Sequence, residues 1–466
     1  MDDKSKRGSF SGQLGFVLAS AGSAVGLGNI WRFPYLAARD GGGLFLLLYL
    51  ILVLTFGFTL LTTEIAIGRK TRQGPLTAYG HIKKNWGWIG IGACLVPALI
   101  LPYYCAIGGW VLKYLFVYLT GQGHAAAQDG FFSAYITGRV EPIIWMVIYF
   151  LITSGVVYAG VEKGIEKTST ILMPILFILI TGIAIFSLTL KKEDPSGTVR
   201  TGLQGLMIYV IPSTEGLTLH SFFIILMDAL GQLFYSISVA MGIMITYGSY
   251  AKKETNLVKS VSQIELFDTL VAFLAGLMII PAVYTFMGTE GMSSSGPGLM
   301  FISLPKVFEA MGWIGRILGL VFFLMVSFAA LTSSVSMMEA LVSSFMDYKK
   351  ISRRKSVEFV SALTLILGLV VCMGYNKLYF ELTLPNGVTG QVLDLLDYVS
   401  NNILMPVVAI GTCLLIGWSV GPDLIINEVS QDGKYRFGRR KLYVATIRYF
   451  APALLFFLLL QALGLF

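Results

Sequence analysis

Three long apolar runs place the strongest constraint on this chain. They begin at Leu44, Ile143 and Ile171 and read LFLLLYLILVLTFGFTLLTTEIAIG, IIWMVIYFLITSGVVYAG and ILMPILFILITGIAIFSLTL. Each reaches or approaches the roughly 20 residues that an α-helix needs to cross the hydrocarbon core of a bilayer. Only 13% of the 466 residues are charged, which is about half the share found in soluble domains. The sequence therefore predicts an all-α polytopic membrane protein.

The apolar stretches predict eleven membrane helices, and the loops predict their orientation. Basic segments follow alternate helices, whereas the opposite loops are nearly charge-balanced, apart from a small positive excess in KKEDPSGTVR. Because lysine and arginine are retained in the cytoplasm, we expect the N-terminus inside and the C-terminus outside the inner (plasma) membrane. The polar start MDDKSKRGSF predicts no cleavable signal peptide. The basic segments are KSKR, GRKTRQ with HIKK, AKKE, DYKKISRRK and KYRFGRRK. The helices are predicted near residues 13–37, 43–68, 88–118, 142–160, 166–190, 220–250, 260–287, 315–346, 354–374, 390–418 and 440–464.

Other classes of protein are disfavoured by the residues present. The short basic loops account for the net charge of +8, and no basic, aromatic-studded groove for nucleic acid is visible. The three histidines lack HExxH spacing, and no GxxxxGK[ST] nucleotide motif occurs. The serines at 293–295 do not form a nucleophile elbow. The four cysteines stand singly, without metal-ligand spacing or a disulfide framework, at Cys94, Cys105, Cys372 and Cys413. We therefore expect neither an enzyme nor a nucleic-acid partner.

The first and sixth predicted helices are interrupted by polar and flexible residues. Residues 21–34 read AGSAVGLGNIWRFP, in which Asn29 and Arg32 are costly in lipid and Pro34 removes a backbone donor. Residues 231–250 read GQLFYSISVAMGIMITYGSY and are broken halfway by serines and a glycine. Corresponding interrupted helices in two halves favour an inverted-repeat transporter whose site lies between the halves. Taken alone, Gly22 and Gly26 are more typical of close helix packing.

Unwound backbone inside a membrane is tolerated where it lines an enclosed cavity. Its free carbonyl groups can ligate a cation and its free N–H groups can hold an anion, and the dipoles of the half-helices strengthen both interactions. The interruptions therefore predict an ion and ligand site between helices 1 and 6.

Three motifs carry a resemblance to a known family. GSAVGLGNIWRFP, the GGG of residues 41–43 and the EIAIGR of residues 64–69 closely resemble the neurotransmitter:sodium symporters, particularly the bacterial amino-acid transporters among them. The resemblance runs from Arg7 to about helix 10. It implies a five-helix inverted repeat with broken helices 1 and 6, although many members have twelve helices rather than eleven. The expected division is a cytoplasmic segment 1–12, repeats 13–190 and 220–418, an extracellular loop 191–219, and a cytoplasmic loop with helix 11 over 419–466.

The resemblance implies two sodium ions, which are hard cations that prefer oxygen ligands. The first would be ligated by the Ala24 carbonyl, the side chains of Asn29, Ser236 and Asp268, and the substrate carboxylate. The second would be ligated by the carbonyls of Gly22, Val25 and Ala329 and the hydroxyls of Thr332 and Ser333. By itself, the stretch SFAALTSSVS, residues 327–336, is more typical of a helix-packing face; together with helix 1 it favours a cation site.

The resemblance also implies an α-amino acid substrate. The substrate carboxylate would be held by the N–H groups of Leu27 and Gly28 and by the Tyr104 hydroxyl. The substrate amino group would be held by the carbonyl groups of Ala24, Tyr235 and Ser236 and by the Ser238 hydroxyl. Gly26 stands where monoamine transporters of the family place an aspartate, which argues against monoamines. The side-chain pocket would be formed by Ile100, Tyr104, Tyr235, Met241, Ser333 and Met337. Adaptable methionines suit hydrophobic and aromatic L-amino acids, although both could simply fill core space.

Asp268 departs from the family, which usually has asparagine there. Tyr49, Gln232 and Ser236 match the family's chloride shell, but Ala272 lacks the hydroxyl found in chloride-dependent relatives. A carboxylate next to sodium would supply the missing negative charge and could exchange protons during the cycle. We therefore expect transport to be independent of chloride.

The resemblance further implies gates on both sides of the site. Arg32 would pair with Asp397 outside, and Arg7 with Asp347 inside, with Phe10 nearby; Arg7 is equally explained by positive-inside retention. Gly164 and Pro174 in helix 5 match a Gly-x9-Pro pattern of the family, so unwinding near 168–169 is expected to release the second sodium ion. An ordinary proline kink is the alternative.

Together these features predict a sodium-coupled symporter that imports hydrophobic L-amino acids across the bilayer by alternating access. A sodium-dependent amino-acid sensor or a channel-like protein of the same fold is the alternative. The sequence does not indicate the oligomeric state.

Overall fold

The computed structural model describes residues 8–193, 197–214, 216–292 and 296–465. Within them, ten helices are long and apolar enough to cross a membrane, and the bent pair Gln13–Ala24 and Gly28–Arg39 forms a further span, helix 1. Helices 2 to 11 are Gly43–Thr71, Lys84–Leu119, Glu141–Tyr158, Val161–Leu188, Leu219–Ser236, Leu257–Gly291, Trp313–Lys349, Arg353–Met373, Val392–Ser419 and Arg440–Ala462. The predicted all-α polytopic class and the eleven spans are confirmed, with small shifts of the boundaries.

Helices 1 and 6 are both broken, as predicted. The two segments of helix 1 are bent by 52°, and Val25 between them has an extended backbone with φ −73° and ψ 103°. Helix 6 stops at Ser236 and continues as Ile243–Tyr250. In that gap Ser238 and Ala240 have φ values of +54° and +62°, which is uncommon for residues with a side chain. Strained backbone of this kind concentrates at functional sites.

The broken helices lie in the centre of the bundle. The first segment of helix 1 packs among helices 5, 7 and 8, and the second segment of helix 6 packs on helix 2. Helix 3 runs along helix 8, and helix 5 along helix 7. Residues 15–24 of helix 1 are all buried, whereas helix 11 is mostly exposed on the outside of the bundle. Polar groups at the breaks therefore meet protein partners rather than lipid.

Shorter elements connect the spans where the sequence analysis expected loops. Two antiparallel hairpins pair Lys191–Glu193 with Val199–Thr201 and Leu382–Thr383 with Thr389–Gly390. The connecting helices are Pro75–Ile82, Gly123–Ala126, Phe131–Ile136, Gly202–Val210, Gly296–Gly298, Leu304–Ala310 and Asp423–Ser430, with a 3-10 turn at Lys84–Trp86. π-helical turns occur at Gly28–Arg32, Val53–Gly57, Val161–Glu166, Leu299–Ser303, Tyr398–Leu404, Leu415–Ser419 and Thr446–Phe450. The short helix after Thr201 begins with a capping box, in which Thr201 and Gln204 satisfy each other's backbone N–H groups.

Candidate functional site

The break in helix 1 is held open by side chains. The Gly26 N–H donates to Asn29 Oδ1 at 3.1 Å, and Gln232 Nε2 donates to the Gly28 carbonyl at 3.1 Å. Asn29 and Gln232 are both completely buried. These bonds replace helical hydrogen bonds that the break leaves unmade, as buried backbone requires.

Asn29, Ser236 and Asp268 meet at one point, although they belong to helices 1, 6 and 7. Asn29 Nδ2 donates to Ser236 Oγ at 2.9 Å and to Asp268 Oδ1 at 2.8 Å. Ser236 Oγ donates to the same Asp268 oxygen at 2.8 Å, and the Tyr49 hydroxyl donates to Asp268 Oδ2 at 3.4 Å. The structure thus collects the three side chains predicted for the first sodium site.

The surroundings of Asp268 suit a cation. Its side chain is completely buried, and among the residues that the structure describes no lysine, arginine or histidine forms an ion pair with it. A buried carboxylate without a charged partner is costly. The adjacent oxygen atoms are ligands that hard cations prefer, so the residues present fit a sodium ion.

The residues predicted for the second sodium site lie close together between helices 1 and 8. Ser333 Oγ donates to the Ser23 carbonyl at 3.1 Å and to the Val25 carbonyl at 3.3 Å. Thr332 Oγ1 donates to the Ala329 carbonyl at 3.1 Å. A Cβ on Gly22 would lie 3.4 Å from the Thr332 Cβ. All five predicted residues therefore lie where helix 1 faces helix 8, and close helix packing through Gly22 is present as well.

A small cavity of about 30 Å³ lies between the two broken helices. Its wall contains every predicted substrate contact except Ser236, whose hydroxyl is bonded to Asp268. The Leu27 N–H donates to the Tyr104 hydroxyl at 3.4 Å, so the two groups predicted to hold a carboxylate are neighbours. The sequence analysis did not include Ser23 and Ile243 among the cavity residues. The wall comprises Ser23, Ala24, Gly26, Leu27, Gly28, Asn29, Ile100, Tyr104, Tyr235, Ser238, Met241, Ile243, Ser333 and Met337.

Two glycines in the cavity wall leave no room for a side chain. A Cβ on Gly26 would lie 2.8 Å from Ser333 Oγ and 3.2 Å from the Tyr104 hydroxyl. A Cβ on Gly28 would lie 2.4 Å from Tyr235 Cδ1. The absence of side chains at these positions therefore lets the backbone of helix 1 approach the residues that line the cavity.

Glu64 of helix 2 bonds to the break of helix 6, and the sequence analysis assigned it no role. Its Oε1 accepts a hydrogen bond of 2.6 Å from the Ala240 N–H, inside the break of helix 6. Glu64 is buried, and its Oε2 has no hydrogen-bond partner among the described residues. An acidic residue inside an apolar run was the available signal, because charges at membrane depth are usually functional.

A larger cavity lies on the side of the site that is predicted to face outward. This outer cavity of about 390 Å³ is lined by Arg32, Asp228, Tyr235, Asn401 and other residues. Arg32 lies over the Tyr235 ring, with Cζ 5.9 Å from the ring centre, and in the described part of the chain it forms no ion pair with Asp397. Asp397 instead accepts hydrogen bonds from Tyr103 at 2.8 Å and Asn401 at 2.6 Å. The predicted outer ion pair is therefore not formed in this conformation.

Aromatic side chains pack together on the side that is predicted to face the cytoplasm. Phe10 is 1% exposed, and its ring lies 5.6 Å from that of Tyr247 and 6.2 Å from that of Tyr250. Asp347 Oδ2 accepts a hydrogen bond of 2.5 Å from the Gly74 N–H. Arg7, its predicted partner, lies outside the described residues.

Helix 5 is wound in this structure. It starts after Gly160, which has a φ of +95°, with a π-helical turn that includes Gly164, and Pro174 lies inside its α-helical part. A Cβ on Gly164 would lie 2.0 Å from the Val156 carbonyl oxygen of helix 4. Residues 168–169 are helical, so their unwinding stays a prediction about another state.

Comparison with known proteins is consistent with this arrangement. The model of the Sodium:neurotransmitter symporter family matches residues 7–127 and 136–466. An uncharacterized sodium-dependent transporter of Bacillus subtilis (strain 168), YhdH, is 33% identical, with 98% of each chain covered. The mouse sodium- and chloride-dependent GABA transporter 2 is 26% identical, with 93% of this chain and 77% of that protein covered. A crystal structure of MhsT in complex with L-phenylalanine has a TM-score of 0.84 and 32% identity, covering 98% of this chain and 100% of that one.

Proposed function

Because the chain belongs to the sodium:neurotransmitter symporter family, a family of sodium-coupled membrane transporters, we propose that it imports hydrophobic L-amino acids together with sodium. One observation carries this proposal. The cavity between the broken helices lies directly beside the carboxylate, amide and hydroxyl cluster of Asp268, Asn29 and Ser236. Substrate and ion in these adjacent places would stabilise each other, which is the basis of coupling.

The polar end of the cavity favours an α-amino acid. The Leu27 N–H and the Tyr104 hydroxyl are donors for a carboxylate, and the Ser238 hydroxyl and the carbonyl groups at the breaks are acceptors for an ammonium group. Gly26 leaves the carboxylate to be supplied by the substrate. The apolar wall of Ile100, Met241 and other residues suits a hydrophobic or aromatic side chain, and the relative MhsT in complex with L-phenylalanine supports this class.

Two sodium ions are proposed, one beside Asp268 and one between helices 1 and 8. Moving one charge across 100 mV is worth about 2.3 kcal/mol, so two ions with their gradient suffice to accumulate a neutral substrate. The carboxylate of Asp268 supplies the negative charge that chloride supplies elsewhere, and we therefore propose that transport is independent of chloride.

Alternating access would proceed by motion at both ends of the site. Closure outside would bring Arg32 toward Asp397 across the outer cavity, and opening inside would separate Phe10 from Tyr247 and unwind helix 5 between Gly164 and Pro174. The charge of the loops supports a cytoplasmic N-terminus, an external C-terminus and insertion in the inner (plasma) membrane. The five-helix repeats 13–190 and 220–418 would then move against each other.

Uptake by purified protein in liposomes tests the proposal. We expect an inward sodium gradient to drive accumulation of labelled leucine or phenylalanine, with unchanged rates when gluconate replaces chloride. Unlabelled substrate inside the liposomes should accelerate the entry of labelled substrate, because a carrier exchanges one for the other. A sensor or a channel would not produce this acceleration. Lack of sodium-driven accumulation across the twenty amino acids would refute the substrate class, and a strong fall in gluconate would refute chloride independence.

A further inference from the structure

The segment KYRFGRRK, residues 434–441, is a basic surface that the transport site does not use. It contains five lysines and arginines and no acidic residue, and it lies just before and at the start of helix 11. Lys434, Arg436, Arg440 and Lys441 are exposed, and Arg439 is half-buried. We call residues 434–441 the basic segment.

Aromatic side chains hold the basic segment in place. The Phe437 ring stacks on Phe58 of helix 2, with centres 5.8 Å apart, and lies 5.5 Å from the ring of Tyr443. The Tyr435 hydroxyl donates to the Glu254 carbonyl at 3.1 Å. These contacts with the bundle fix the position of the backbone, while the basic side chains listed above remain exposed.

Only part of the positive charge is paired. Arg439 lies 3.6 Å from Glu265 of helix 7, and Arg440 pairs with Asp423 at 2.9 Å in an exposed contact that contributes little. Over the described ranges of the chain, no carboxylate forms an ion pair with Lys434, Arg436 or Lys441. Exposed acids at Glu254 and Asp432 offset the charge only in part. Three basic side chains thus remain to bind an external anion.

The residues next to the basic segment favour a position at the level of lipid headgroups. Helix 11 starts at Arg440 and is mostly exposed on the outside of the bundle. Beside it, Trp418 at the end of helix 10 donates to the Arg448 carbonyl at 3.1 Å and packs against Tyr449 with ring centres 5.6 Å apart. Exposed tryptophan and tyrosine favour the boundary between membrane and water. The basic side chains, which precede Arg448 and Tyr449 in the chain, would therefore lie close to the headgroup layer.

We propose that the basic segment binds the phosphate-bearing headgroup of an acidic phospholipid. Clusters of basic residues directly beside a membrane helix attract anionic lipids, and charge-assisted hydrogen bonds to phosphate are strong. On the side of the segment that faces the bundle, Phe437 contacts Phe58 of helix 2. Arg439 contacts Glu265 of helix 7, which lies about one helical turn before Asp268. Bound lipid would therefore stabilise the side of the bundle that carries the first sodium site.

Lipid-dependent thermal stability in detergent tests the proposal. Phosphatidylglycerol should raise the Tm of the wild-type protein, because a ligand of the folded state stabilises it, and phosphatidylcholine should not. Each basic side chain near an acidic surface strengthens binding about fivefold, so the variant Lys434→Gln with Arg436→Gln and Lys441→Gln should bind phosphatidylglycerol about 100-fold more weakly.

The matched control removes the same charge elsewhere. Lys84, Lys349 and Lys355 are exposed lysines at the ends of helices 3, 8 and 9. Their triple change to glutamine should leave the response to phosphatidylglycerol intact. An equal loss in both triple variants would show that only overall charge matters and would overturn the proposal. The charge-retaining variant Lys434→Arg with Arg436→Lys and Lys441→Arg should keep the response, and its failure to do so would equally count against the site. If inorganic phosphate raised the Tm as much as phosphatidylglycerol does, the ligand of the basic segment would be a free anion and the lipid proposal would be wrong.

Discussion

Asn29 of helix 1 and Asp268 of helix 7 share a hydrogen bond of 2.8 Å in the centre of the bundle, although they are 239 residues apart in the chain. Ser236, at the end of the first segment of helix 6, donates to the same carboxylate oxygen. One acidic group thus connects both broken helices with helix 7. The predictions below start from this connection and from the contacts around it.

Replacing Asp268 with asparagine should weaken sodium binding. The variant keeps a side-chain oxygen but removes the buried negative charge beside Asn29 and Ser236. We therefore expect the sodium concentration for half-maximal uptake to rise at least about tenfold, which corresponds to about 1.4 kcal/mol. Sodium titration of uptake measures it. Asp129→Asn, on an exposed outer loop, is the control and should behave as wild type. An unchanged sodium requirement would show that the first site does not need the negative charge of Asp268.

Adding a methyl group at Gly26 should weaken substrate binding. In Gly26→Ala the new Cβ would lie 2.8 Å from Ser333 Oγ, and overpacking of this kind costs about 1–3 kcal/mol. We expect substrate affinity to fall about tenfold or more in equilibrium binding. Gly182→Ala in helix 5 meets no atom within 4 Å and should bind normally. Normal binding by both variants would mean that substrate lies elsewhere.

Glu64 should act through its hydrogen bond to the break of helix 6. Glu64→Ala leaves the buried Ala240 N–H without its acceptor, which costs about 1–3 kcal/mol, so the Tm and the uptake rate should both fall. Glu64→Gln can still accept this bond through its amide oxygen and should recover most of both. If glutamine proved as harmful as alanine, the charge rather than the hydrogen bond would be the important property of Glu64.

Asp397 should affect the movement of the outer gate more than substrate binding. Asp397→Asn can keep its contacts with Tyr103 and Asn401 but offers no charge to Arg32 when the outer cavity closes. We expect the maximal uptake rate to fall several-fold, since one exposed or partly exposed ion pair contributes up to about 1 kcal/mol, while equilibrium substrate affinity changes little. The exposed Glu381→Gln serves as control. A loss of affinity without a loss of rate would contradict a gating role.

Helix 5 should need its proline to release sodium inward. Pro174→Ala restores a backbone donor within the helix and makes unwinding between Gly164 and Pro174 less favourable. We expect slower sodium release and uptake, with sodium affinity maintained or increased, as measured by uptake and by sodium-dependent binding. Unchanged rates would leave Pro174 as an ordinary kink.

Much of the architecture was predictable because membrane burial restricts which residues can stand in a spanning helix. Asn29, Arg32 and Pro34 within an apolar stretch predicted a break, and the structure has one at Val25 to Leu27. Glu64 was overlooked, although an acidic group inside helix 2 is an equally strong signal. The positive φ values of Ser238 and Ala240 had no signal of their own, because serine and alanine adopt ordinary backbone almost everywhere else.

The residue sequence alone sufficed for the membrane class, the eleven spans and the two interruptions, because the cost of exposing backbone and charge to lipid is a local property of each segment. The groups that contact those interrupted segments could be identified only in the folded chain. The carboxylate that meets Asn29, the acceptor for the Ala240 N–H and the Tyr103 hydroxyl that donates to Asp397 come from helices far apart in sequence. Hydrogen bonds act over about 3 Å, and only the packing of the helices against one another establishes which groups come that close.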